Sequence, residues 1–74
     1  MNNQVIYSIE VQGKLRESWS DWFNGLTIEH ITATDGLPIT RLTGPVADQT
    51  ALHGLLHKIR DLGLKLVSVE QVGN

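Results

Sequence analysis

Apolar and polar positions alternate from Gln4 to Gln12, with Val5, Tyr7, Ile9 and Val11 on one side and Ile6, Ser8, Glu10 and Gln12 on the other. That period predicts a strand, and Gly13 ends it. From Leu15 to Phe23 the spacing lengthens: Leu15, Trp19, Trp22 and Phe23 share one side, while Arg16, Glu17, Ser20 and Asp21 lie mostly on the other. A short helix is expected there, stopped at Asn24-Gly25 with Gly25 as its left-handed residue. Such a short helix is marginal in isolation, so both tryptophans are expected to be buried.

Leu26 to Thr34 and Leu37 to Thr43 read as two strands joined around Asp35-Gly36, a strong hairpin signal. A two-residue turn would pair Thr34 with Leu37 and put Ile28 and Leu42 on opposite faces. A longer loop with a bulge at Gly36 would pair Ala33 with Leu37 and bring Leu26, Ile28 and Leu42 together. The second register is preferred because it gives one apolar face. Gly44-Pro45 is expected to turn the chain, and Asp48 to cap a helix from Gln49 to Leu62. In that helix Ala51, Leu52, Leu55, Leu56, Ile59 and Leu62 form one stripe of the width a sheet-packing helix needs. Lys58 and Arg60 lie at the end the helix dipole favours. Gly63 stops the helix, and Leu64 to Val72 completes the pattern as a final strand.

The element order is β-α-β-β-α-β. For one small domain spanning residues 1–74, right-handed crossovers favour a ferredoxin-like α+β fold. Its four antiparallel strands would lie in the order 4-1-3-2, with both helices on one face. The other face would then lack intrachain cover. An antiparallel sheet facing water should be polar there, yet Ile6, Ile31, Leu37, Ile39, Val67 and Val69 leave an apolar remainder whichever set faces the helices. Burying each would contribute roughly 1.5–3 kcal/mol. Self-association, as a homodimer or higher oligomer, is therefore expected through the sheet face or an edge, or a protein partner takes that place, with Ile6 and Ile39 as candidate contact residues. Alanine at either should dissociate an oligomer without unfolding it; unfolding alone would mark them as core.

Composition sharpens this expectation. A chain of 74 residues buries only about 60% of its unfolded surface, and small scaffolds of this kind usually need a disulfide, a metal or a partner. There is no cysteine, which excludes disulfides and thiolate zinc sites. The hydrophobic share of 41% suits a globular domain. Net charge is −2, without a basic run, so nucleic-acid binding lacks its usual electrostatic source. A sheet that stacks RNA bases also needs aromatics on its central strands, and Tyr7 stands alone there. No apolar run approaches the roughly 20 residues of a membrane helix. Met1-Asn2-Asn3-Gln4 is polar and unlike a signal peptide, so a cytoplasmic location is expected.

Few residues suggest chemistry. His53 and His57 are one helical turn apart, a spacing that can share a metal, but no third ligand completes a known motif. A rim histidine and a solvated one, the latter paired with Asp61, is the simpler reading. Gln49, His53 and Arg60 line one flank of the helix and could contact an anion or a partner, with Arg60 as a planar fork. Trp19, Trp22 and Phe23 could line a cleft, yet in so short a chain they serve first as core. Tyr7 and His30 have no converging nucleophile or acid. Neither a cofactor nor a catalytic or metal-ligating residue is expected.

The stretches YSIEVQGKL, WSDWFNGLTI and LTGPVADQTALHGLLHKIRDLGLKLVSV carry the patterns W-x-x-W-F-x-G-L and L-x-G-P-x-x-D-Q-x-x-L-H-G-L-L-x-x-I-R-D-L. In these the chain resembles a family of very short, uncharacterised bacterial proteins. The resemblance spans nearly the whole chain and is most specific from Gly44 to Val69. It implies a soluble bacterial protein that stands alone, and brings no activity, cofactor or catalytic residue. The expected function is a noncatalytic regulatory or protein-interaction module. The alternative is a small-metabolite-sensing domain with its ligand at a subunit interface.

Overall fold

Strand β1, Val5–Gln12, follows the predicted alternation and lies inside the sheet. The computed structural model describes residues 5–73. The polar Met1–Gln4 stretch, with Gln4 as the expected strand start, lies outside the described residues. Strands β2 (Thr27–Thr32), β3 (Pro38–Val46) and β4 (Leu66–Gly73) complete an antiparallel sheet in the order β2-β3-β1-β4. Read from the β4 edge, that order is 4-1-3-2. Helix α1 covers Gln49–Asp61. The described residues thus form an α+β domain with a four-stranded antiparallel sheet and two helices, of which only α1 is an α-helix.

The other helix differs from expectation. Glu17–Phe23 is a 3₁₀ helix, preceded by Arg16, which makes no side-chain cap bond. In this tighter winding residues three apart eclipse one another, so Trp19 and Trp22 share one ridge and meet edge to face at 6.2 Å. Phe23, one position on, takes the core place and is fully buried. Trp22 is 47% exposed, which corrects the expectation that both tryptophans would be buried. Its ring lies 5.1 Å from the Lys58 ammonium, whose Nζ also donates to the Trp22 carbonyl at 2.8 Å. The helix closes at Asn24, left-handed with φ 60°, as Asn24 N–H donates to Asp21 and Gly25 N–H to Ser20.

The hairpin adopts the bulged register. Ala33 N–H donates to the Leu37 carbonyl, Gly36 has φ +86°, and Ile28 lies opposite Leu42. Gly44-Pro45 does not turn the chain; β3 runs on to Val46, which is buried. β2 ends opposite Thr43, so beyond that point β3 has a neighbour only in β1. The N–H that Pro45 lacks is not missed on that open side. Asp48 caps α1 by accepting from Ala51 N–H at 2.8 Å, and Gly63, with φ +74°, ends it.

One buried cluster joins Ile9 and Val11 of β1, Ile28 of β2, Leu42 and Val46 of β3, Phe23 of the 3₁₀ helix, and Leu52, Leu55 and Ile59 of α1. Both helices therefore pack on one sheet face. Among the described residues, none from β4 belongs to that cluster.

Candidate functional site

Three surfaces hold the residues that sequence reasoning raised. The first is the sheet face away from the helices, expected to be apolar. Its centre is polar instead. Arg41 of β3 donates from Nε and Nη2 to one Glu10 oxygen at 3.2 and 3.1 Å and lies 4.0 Å from Glu29. These residues border a shallow hollow of about 310 Å³ with Ser8, Thr43 and Glu70. Thr43 Oγ1 is buried there without a hydrogen-bond partner among the described residues. The register explains the polarity: Glu10 lies opposite Arg41, which lies opposite Glu29, a cross-strand charge ladder visible only once the strands are aligned.

Ile6 and Ile39 lie on this face at its two ends. Ile6 is half-buried, close against Gly73. Ile39 is only 6% exposed, next to Ile31 and Gln12 across the strands. Its expected availability for contact is corrected by that intrachain burial.

The second surface is the flank of α1. His53, Leu56, His57 and Arg60 line a shallow depression of about 170 Å³. The expected Gln49–His53–Arg60 line is exposed, but Gln49 lies outside the depression and His57 joins it. Among the described residues no group of three or more His, Cys, Asp or Glu could hold a metal ion. Nor is any helix of the described residues long and apolar enough to cross a membrane. His30, which looked catalytic in isolation, directs its Nε2 to the Leu15 carbonyl, and Tyr7 packs against the core cluster.

The third surface was not singled out as a site. β4 pairs with β1 along one side, and no other described strand pairs with its outer side. Along its eight residues Leu66, Val67, Val69 and Val72 are each 37–50% exposed. Of the apolar remainder predicted for the bare sheet face, Val67 and Val69 lie at this edge, where Leu66 and Val72 join them. The signal was present in the run Leu64–Val72, whose two sides are both apolar, the mark of a strand covered on both faces. Here neither face is covered.

No curated protein and no solved structure matches the chain. A family model does, over residues 6–70, and so takes in β2, β3 and both helices entire and most of β1 and β4. The chain belongs to the family described as Domain of unknown function (DUF8691).

Proposed function

We propose that this protein is a small noncatalytic interaction module that accepts a further polypeptide strand at β4. The strand order and the shared helix face support reading it as a ferredoxin-like arrangement whose first helix is tightened to 3₁₀ form. The observation that carries the proposal is the position of β4 at the edge of the described strands, with its four exposed aliphatic side chains. An edge strand offers a row of backbone donors and acceptors. Strand addition draws affinity from those groups and specificity from the alternating side chains. The contacts of His30 with the Leu15 carbonyl and of Tyr7 with the core are in keeping with this reading.

A photo-crosslinking residue at Val69, in cells that naturally carry the protein, tests this. A polypeptide adduct is expected at Val69 and none at a control position such as Gln49 on α1. No adduct at Val69 overturns the proposal.

A specific observation favours the metabolite-sensing alternative: the unpartnered Thr43 hydroxyl beside the acidic hollow. A ligand there raises the melting temperature in proportion to the logarithm of its concentration above Kd. No shift across a panel of small cationic and polar metabolites removes that reading.

A further inference from the structure

The faces of β4 are set by its pairing with β1. Leu66 and Val69 lie opposite Val11 and Ile9, on the helix side, whereas Ser68 and Glu70 lie opposite Glu10 and Ser8, on the bare side. The register shifts between Glu10 and Val11, which leaves Val67 as an extra residue beside Ser68, on the bare side with it. Just before the strand, the Lys65 carbonyl accepts from Gln12 N–H at 2.9 Å, which puts Lys65 on the bare side too.

Two such edges related by a two-fold axis must oppose residues from the same face, because a one-residue slip exchanges the faces. From Lys65 to Glu70 one antiparallel register meets this condition throughout. It sets Leu66 against the partner's Val69, Val67 against the partner's Ser68, and Lys65 against the partner's Glu70. Slipping by one residue either way sets Leu66 against the partner's Ser68 or the partner's Glu70, from the opposite face. Centring the axis on Val69 sets Leu66 against the partner's Val72, which borders the bare-side hollow.

Centring the axis on Glu70 also keeps the faces matched, but it sets Glu70 against the partner's Glu70, like charges that destabilise the pair. The Lys65–Glu70 register is the one that also matches in chemistry. Leu66 and Val69 are both exposed aliphatic residues, and Lys65 and Glu70 are exposed charges of opposite sign. Neither Lys65 nor Glu70 has an ion pair among the described residues, although Arg41 bridges Glu10 and Glu29 nearby. Opposite charges directly across an antiparallel pair stabilise it, and like charges destabilise it.

We infer that a second copy of this chain occupies the β4 edge, through antiparallel β4–β4 pairing with Lys65 opposite the partner's Glu70 and Leu66 opposite the partner's Val69. The inference rests on the strand-docking reading of β4 and names its occupant. The two-fold stands perpendicular to the sheet, so the dimer has one continuous eight-stranded sheet with all its helices on one side.

Sedimentation of the purified full chain at micromolar concentrations tests this, with circular dichroism as the check on folding. The wild type is expected to be dimeric. Lys65→Glu and Glu70→Lys each place like charges across both symmetric pairs and weaken the dimer about tenfold. The K65E/E70K double variant reverses the pairs and restores association, an outcome that damage to the monomer would not produce. A monomeric wild type, or a dimer insensitive to all three variants, overturns the inference. If the purified chain is monomeric while Val69 crosslinks to a different polypeptide in cells, this inference fails and the strand-docking reading stands.

Discussion

Thr40 is fully buried on β3, and its hydroxyl accepts from Leu15 N–H at 2.9 Å while donating to the Gly13 carbonyl at 2.8 Å. It thereby ties the β1-to-helix connection to a strand far along the chain. Thr40→Val keeps the shape and removes both bonds, and should cost about 1–3 kcal/mol in chemical denaturation. Gly44 acts through its lack of a side chain. A Cβ there would lie 2.6 Å from Leu26 Cδ2, and Leu26 is 2% exposed with little room to yield. Gly44→Ala should lower stability by about 1–3 kcal/mol, measured the same way. Gly54 is the opposite case: it lies inside α1, exposed, with open space where a Cβ would lie. Gly54→Ala should raise stability by about 0.5–1 kcal/mol, because alanine has less backbone freedom to lose. The Thr40 bonds and the Gly44 contact were not legible in the sequence, since each joins residues that only the fold brings together.

At the level of elements, the two helices contrast. α1 was legible because several local signals agree: the Asp48 cap, a single apolar stripe and the Gly63 stop. The first helix had the right location and the right anchors in Leu15 and Phe23, but its winding was not legible. A seven-residue segment without a side-chain cap takes its form from what it packs against. Lys58 connects the two helices through the Trp22 ring and carbonyl. Lys58→Met retains most of the aliphatic stem and removes the cation. It should change the tryptophan emission spectrum and lower stability by roughly 0.5–1 kcal/mol. An unchanged spectrum would place Lys58 away from Trp22 in solution.

In the whole molecule, the core ties α1, the 3₁₀ helix and three strands together, while β4 is attached through its ladder with β1. Local stability follows burial of apolar contacts. In dilute solution the β4 amides should therefore exchange with deuterium sooner than those of β1 bonded to β3. Protection of β4 should rise with protein concentration if the edge pairs with another copy. Equal protection of β1 and β4 at every concentration would show β4 to be part of the cooperative core.

The sequence by itself determined the element order, the caps of α1 and most of the residues that fill the core, and it favoured the bulged hairpin. Each follows from backbone preference or from the period of apolar positions, which are local properties. The tertiary structure decided where the unmatched apolar side chains went. Alternation shows that β4 has two apolar sides, but not that it lies at an edge with neither side covered. Nor does alternation reveal that Glu10, Arg41 and Glu29 align across three strands to make the bare face polar. Such cross-strand neighbours depend on register and strand order, set by the folded sheet as a whole, and that is why only the structure singles out the β4 edge as a candidate.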